Sequence, residues 1–366
     1  MDRDKIYSDR YLTLSGYFGR HRELLVGRDV TGLIMLIDAL TSPGGRVILP
    51  AMCCMTRLAA VLRAGRTPVI VDVDANMGMD PKRLAEVARP GDVVVAVHLF
   101  GIPCEIHEII EVCRAKKCAL IEDASQAIGA MIDGKPAGSF GNASVLSFAD
   151  RKILPTNGGG AIVVNDGNLH DKLGATVKEL PKRPMDYLER KNSMQKEIQE
   201  PFDRARSGET IAAAEWGAIY KKYGDIYYFS IEKEEAALIK SSVESFEDTV
   251  ENRRDMVYLL RKKMSGSNIK FLDYPINSAP WRFTFILSEN MTGKDTVQAV
   301  KTFREKGLDA ASLYLPLHWL APVKAWTEGC PVAEHAGVRI VNIRVDETTT
   351  WDVANLAGHL VQEHTW

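Results

Sequence analysis

Between about residues 30 and 165, short unbroken apolar runs alternate with stretches of helical periodicity, and this alternation leaves few architectures open to the chain. The runs are VILP (47–50), TPVIVDVD (67–74), DVVVAVHLF (92–100), CALIEDA (118–124), ASVLSF (143–148) and GAIVVN (160–165). Several lack the polar alternation of a half-solvated strand, so they read as strands covered on both faces. Between them lie TGLIMLIDAL (31–40), PKRLAEVA (81–88) and IHEIIEVCRAKK (106–117), which read as helices. Strand, helix, strand in this order predicts an α/β domain with a mainly parallel sheet.

Residues 180–230 break the rhythm: they are polar, rich in charged and aromatic residues, and predict helices and loops inserted after the sheet. A long helix is expected next, because Ile239, Val243, Phe246, Val250, Val257 and Leu260 fall on one face, with the Gly266-containing MSGSN segment ending it. RFTFIL (282–287) and SLYLPLH (312–318) as strands, with helices near DTVQAVKTFREKG and WDVANLAGHLVQEH, suit a smaller C-terminal α+β domain. The expected division is 1–235 for the large domain, including the 180–230 insertion, and 236–366 for the long helix and the small domain.

Charge and composition exclude several functions. The 46 Lys and Arg nearly balance 48 Asp and Glu, giving a net charge of −2. Proteins that neutralise many phosphates carry a basic excess, so no nucleic-acid partner is expected. No apolar run approaches the roughly 20 residues needed to span a bilayer. The start, MDRDKIYSDRYLTLSG, is charged where a signal peptide would be apolar, so a cytoplasmic protein with no membrane partner is expected. Six cysteines, at 53, 54, 104, 113, 118 and 330, include no CxxC pair, and no metal site is expected.

Open α/β sheets bind ligands beyond the carboxyl ends of their strands. CALIEDA ends in Glu122 and Asp123, and ASVLSF is followed at once by Ala149, Asp150, Arg151 and Lys152. An acid at one strand end and a lysine at another can meet in one cleft, or can be separate solvated loop charges. Further signals accompany them: IEDASQAIGA (121–130), DGKPAGSFG (133–141) and SVLSFADRKILPTNGGGAIVVN (144–165), with Val97, His98 and Gly101 in a VHxxG pattern. Together these stretches resemble the DegT/StrS-type aminotransferases, with the resemblance running from near Gly27 to about residue 170 and resuming weakly in the helix after 232 and in the C-terminal YLPLH.

The resemblance implies a pyridoxal-phosphate-transferase fold of type I, a mainly parallel seven-stranded sheet sandwiched by helices with a smaller C-terminal α+β domain. It also implies pyridoxal 5'-phosphate as cofactor. By resemblance, Lys152 forms the Schiff base with the cofactor aldehyde and shuttles a proton, which requires an amine that can be neutral. Burial and a neighbouring positive charge favour that, and Arg151 is adjacent in sequence. Asp123 corresponds to the partner of the pyridine nitrogen, although an Asp after a strand also serves as a helix N-cap. Gln126 corresponds to the partner of the ring's phenolic oxygen. Ser147 and the turn from Gly27 to Gly32, with Asp29, Val30 and Thr31, correspond to the phosphate site, where capping by Asp29 or Thr31 is an equal reading. Arg28 there can assist an anion, whereas Asp29 would repel one unless it points away. In the position of a ring-stacking aromatic stands Cys54, beside Cys53.

Weaker correspondences place His98, Tyr314 and His318 near the substrate, with a structural role for His98 equally open. Relatives usually read GEGG after the lysine, and here Gly158 stands at the place of the Glu. The implied reaction is transfer of an amino group from Glu or Gln to a keto-sugar or related ketone, in sugar, polysaccharide or natural-product biosynthesis, by a homodimer with shared sites. A pyridoxal-phosphate dehydratase or lyase and a non-catalytic binding relative are the alternatives. Some dehydrating family members carry histidine in place of the lysine, so Lys152 favours transamination.

Overall fold

The computed structural model describes residues 13–19, 22–243, 246–322 and 329–364. The charged N-terminal stretch and His21 lie outside the described residues, as does the side chain of Phe246. In chain order the helices are α1 (Leu14–Tyr17), α2 (Asp29–Leu40), α3 (Met55–Arg63), α4 (Pro81–Val87), α5 (Ile106–Lys116), α6 (Gly167–Lys178), α7 (Tyr187–Arg206), α8 (Ala213–Ile226), α9 (Lys233–Ser242), α10 (Phe246–Lys263), α11 (Gly293–Glu305), α12 (Pro331–Gly337) and α13 (Trp351–Glu363). The strands are β1 (Arg22–Val26), β2 (Arg46–Pro50), β3 (Thr67–Val71), β4 (Val93–Val97), β5 (Ala119–Asp123), β6 (Met131–Ile132), β7 (Lys135–Pro136), β8 (Ala143–Ser147), β9 (Gly160–Val164), β10 (Lys270–Phe271), β11 (Arg282–Ile286), β12 (Ala310–Ala311) and β13 (Ile340–Arg344).

Seven strands form one sheet in the order β1-β9-β8-β5-β4-β2-β3. The pairs β2–β3, β2–β4, β4–β5 and β5–β8 are parallel, and only β9 runs against its neighbours β1 and β8. Every residue of β4, β8 and β9 is buried, as expected of strands covered by helices on both faces. The strand that sequence reading passes over is β1, RELLV, whose single buried residue gives it little apolar signature.

The second sheet has the order β10-β11-β13-β12 and is antiparallel throughout. Phe283 and Phe285 of β11 point into a separate core with Leu260 of α10, Phe303 of α11 and Leu360 of α13. The alternate residues Arg282 and Thr284 face the other way. Two expectations are corrected here. SLYLPLH is not a strand: just before it Ala310–Ala311 pairs in the sheet, and the second long strand is β13, while Leu317–Leu320 forms a 3₁₀ turn tied to the end of β2 by the Leu317 N–H donating to the Ala51 carbonyl at 2.8 Å. The long helix is two helices, α9 and α10, although Ile239, Val243, Val250, Val257 and Leu260 are all buried as their spacing predicts.

Within the 180–230 stretch, α7 and α8 pack on each other, and α8 packs on α3. Because α3 begins just beyond the carboxyl end of β2, this insertion backs the rim of the sheet where ligands bind.

Candidate active site

Glu122 and Asp123 end β5, and strand alternation sends them to opposite faces. Glu122 is fully buried and accepts from the backbone N–H groups of Gly138 (2.9 Å), Phe140 (2.6 Å) and Gly141 (2.6 Å). It also meets His98 Nε2 at 3.0 Å. The Cys104 N–H donates to His98 Nδ1 at 3.2 Å, so Nδ1 is the acceptor and Nε2 carries the proton given to Glu122. Both nitrogens of His98 are used inside the fold, which leaves no atom for a substrate.

Asp123 faces the cleft. Its Oδ1 accepts from the Ser125 N–H at 3.0 Å, and its Oδ2 accepts from Nε of Arg57 in the first turn of α3. Arg57 Nη2 continues to Asp29 Oδ2 at 2.8 Å and to the Ser125 hydroxyl at 3.1 Å. Arg57, Asp29 and Asp123 are all buried. A carboxylate oxygen has two lone-pair sites, so Asp123 keeps capacity for another donor. Asp29 therefore points away from the helix start that it opens. Burial opposes its ionisation, but Arg57, then Lys152 and Arg28, outweigh it and hold the carboxyl well below the usual carboxylate range.

Lys152 lies in the turn after β8, half-buried, with Nζ 4.8 Å from the centroid of the Trp281 ring. Trp281 is fixed by its indole N–H donating to the Arg151 carbonyl and its backbone N–H donating to the Phe100 carbonyl at 3.0 Å. Burial pushes the Lys152 amine below its ordinary pKa and Arg57 adds to that, against the opposing pull of Asp29, Asp123 and Cys54. The cation acting on Lys152 is thus Arg57 and not its exposed neighbour Arg151.

At the start of α2, Arg28 occupies the N-cap position without a side-chain cap bond. Neither capping reading of this turn holds, because Asp29 turns to Arg57 and the Thr31 hydroxyl donates to the Tyr227 carbonyl. The first-turn N–H groups of Asp29, Val30 and Thr31 have no intrahelical acceptor, and the helix dipole favours an anion there. Gly160, paired with Ser147 across β8 and β9, presses against this turn: a methyl group on it would fall 2.3 Å from the Asp29 nitrogen. The buried Ser147 hydroxyl and Arg28 Nε have no hydrogen-bond partner among the described residues.

The remaining candidates fall around this centre. Gln126 accepts from the Phe100 N–H at 2.9 Å and donates to the Tyr314 hydroxyl at 3.0 Å, and the Tyr314 ring stacks on Phe100 with centroids 6.0 Å apart. Cys54, at the N-cap of α3, accepts from the Thr56 hydroxyl at 3.1 Å and lies among the buried Tyr220, Tyr223 and Tyr227, contributed by the 180–230 stretch. His318 is paired with Glu334 at 2.9 Å and is mostly buried. Gly158 is open for a reason: a methyl group there would meet the Glu235 carboxylate at 2.3 Å, so the acid absent from the loop is supplied by α9, where Arg183 pairs with it at 2.5 Å. Sequence reading missed Arg57, Trp281 and Glu235. A charged residue in the first turn after a strand end was the available signal for Arg57.

This donor set fits pyridoxal phosphate. An orphaned hydroxyl, a guanidinium and an open helix start match a phosphate, and a desolvated amine beside an acceptor-competent carboxylate matches the aldehyde and the pyridine nitrogen. Among the described residues no group of three or more His, Cys, Asp and Glu side chains can hold a metal ion, and no helix is long and apolar enough to cross a membrane. Fold and site together define a pyridoxal-phosphate-dependent enzyme of fold type I.

The chain belongs to the DegT/DnrJ/EryC1/StrS aminotransferase family, whose sequence pattern it matches over residues 17–360. GDP-perosamine synthase of Caulobacter vibrioides is 26% identical over 336 residues, 89% of this chain and 81% of that protein. The structure of DesI in the presence of its TDP-sugar product superposes with a TM-score of 0.74 at 22% identity, covering 95% of this chain and 82% of that one. Escherichia coli GDP-4-keto-6-deoxy-D-mannose-3-dehydratase with bound hydrated PLP also gives 0.74, at 18% identity, with 95% and 89% covered. A dehydratase shares the fold, so fold alone does not select the reaction; family membership makes the chain a pyridoxal-phosphate-dependent aminotransferase.

Proposed function

We propose that this enzyme transfers an amino group from an amino acid, glutamate or glutamine, to a keto-sugar or related cyclic ketone in sugar, polysaccharide or natural-product biosynthesis. The observation that carries the reading is the half-buried Lys152 amine, biased toward neutrality by burial and by Arg57, the same cation that pairs with Asp123. GDP-perosamine synthase, a relative along most of the chain, supports the sugar acceptor. When bound, pyridoxal phosphate supplies an aldehyde for the amino group and a ring that accepts electrons.

The chain's own residues would do the rest. The α2 N–H groups, Arg28 and Ser147 would bind the phosphate. Asp123 would hold the proton on the ring nitrogen, and Gln126 would use its second amide N–H to orient the ring. Lys152 in its neutral form would take a proton from the donor's carbon and return it during transfer. Trp281 and Tyr314 would cover the amine and exclude water, with Cys54 and the tyrosines of the 180–230 stretch shaping the outer cleft.

A homodimer with shared sites, located in the cytoplasm, is part of the proposal. Family resemblance supports the dimer, as do Met185 and Leu188, apolar and exposed beside the α7 start. A solution mass of one chain would count against it.

The test is spectroscopic. The purified protein should hold pyridoxal phosphate in a borohydride-reducible bond lost in Lys152→Ala, and glutamate or glutamine should convert the cofactor to its amine form. Release of water or ammonia from a keto-sugar with no donor conversion would assign the lyase reaction instead.

A further inference from the structure

We propose that Arg57 is a positioning residue for this site and that Asp29 is its obligate counter-charge, so that the two act as one unit that aims Asp123 and sets the charge around Lys152. This rests on the proposed function only for the role of Asp123 toward the cofactor.

The geometry requires an arginine. Nε serves Asp123 while Nη2 serves Asp29 at 2.8 Å, so one planar fork spans two carboxylates, which a point-charge ammonium cannot do. Both acids also depend on it, since a buried carboxylate with no cation is strongly disfavoured. Asp29 opens α2 and Arg57 lies in the first turn of α3, and these two helices pack together. The carboxylate that would repel a phosphate at the α2 start is thereby neutralised. The charged and titratable groups around Lys152 are Asp29 from α2, Arg57 from α3, Cys54 at its cap and Asp123 from β5. Arg57 pushes the amine toward neutrality and Asp29 pulls it back, so the pair trims Lys152 without adding net charge.

A structural role alone predicts that both single variants weaken the site alike. The unit predicts opposite signs. With the cofactor removed, acetylation of Lys152 by acetic anhydride, read by peptide mass across a pH series, gives the midpoint at which the amine becomes reactive. Arg57→Gln should move that midpoint up, and Asp29→Asn should move it down, each by about one pH unit. The double variant should return close to wild type, and Arg57→Lys should keep a low midpoint. In a parallel titration with pyridoxal phosphate, Arg57→Gln and the double variant, both of which leave Asp123 without its cation, should bind at least about tenfold more weakly, whereas Asp29→Asn, which keeps the Arg57–Asp123 pair, should lose less.

Midpoints that move in the same direction, or an unmoved midpoint in a folded Arg57→Gln protein, would overturn the proposal. Should either single variant fail to fold, Arg57→Lys and the double variant carry the test, and a double variant whose midpoint is not restored refutes it. If wild-type protein binds no pyridoxal phosphate while the opposite midpoint shifts are seen, the proposed function fails and the role of Arg57 toward Lys152 stands.

Discussion

Substitution of Gly160 by alanine tests where the cofactor phosphate sits. The added methyl group would lie 2.3 Å from the Asp29 nitrogen and 2.5 Å from the Arg28 carbonyl carbon, both backbone atoms. Ordinary carbon contacts begin near ~3.5 Å, so strand and helix start must separate by about 1 Å. Gly160 is paired with Val26 on one side and Ser147 on the other, so β9 has no room to retreat and α2 must yield. Overpacking of this kind costs about 1–3 kcal/mol. A displacement of about 1 Å also stretches hydrogen bonds of ~2.9 Å past their useful range. Gly174→Ala provides the internal control. Gly174 lies inside α6 with its nearest atom at an ordinary 3.8 Å, so alanine there should stabilise the protein by about 0.5–1 kcal/mol. Urea unfolding midpoints and equilibrium titration with pyridoxal phosphate on both variants give the comparison. Gly160→Ala should lose stability and bind the cofactor at least about tenfold more weakly, whereas Gly174→Ala should bind unchanged. A folded Gly160→Ala protein with wild-type affinity would show that the α2 start is not the phosphate site.

Three further outcomes are expected. Glu122→Gln replaces an acceptor of three backbone N–H groups and His98 by an amide that must point N–H at N–H, and should cost about 3 kcal/mol in urea denaturation while leaving turnover per folded molecule unchanged. Tyr314→Phe removes the hydroxyl that accepts from Gln126 and should lower kcat by about five- to tenfold with little change in fold stability, measured by steady-state kinetics beside a thermal melt. Asp29 titrates below its ordinary 3.8 in the folded chain, so the unfolded chain takes up its proton first as pH falls. The stability Asp29 contributes is complete above its unfolded value and is lost below about pH 4, so Asp29→Asn should show a shallower loss of unfolding free energy between about pH 4 and 2.

Much of this protein was legible in its residues alone, and the reason is local. The strands β2, β3, β4, β5, β8 and β9 are built on short apolar runs because both faces are covered, and that signature needs no knowledge of neighbours. Lys152, Asp123 and Gln126 sit in runs whose pattern carries the family resemblance. The small sheet was harder to read. β13 lies between β11 and β12 and only this placement makes it central, while LYLPLH has a strand's composition yet is held by a backbone bond from Leu317 to Ala51, just past β2.

The chain sequence by itself determined the α/β class, the mainly parallel sheet and the lysine and aspartate at two strand ends. Only the tertiary structure decided what surrounds them. Arg57 stands 66 positions from Asp123, and Trp281 stands 130 from the Arg151 carbonyl that fixes it. The parallel strands meet in the order β5-β4-β2 rather than in chain order, so loops far apart in sequence converge at one rim. Charge is felt over ångströms of space and not along the chain. Asp29 therefore reads as an obstacle to an anion in the sequence and is a neutralised partner of Arg57 in the fold.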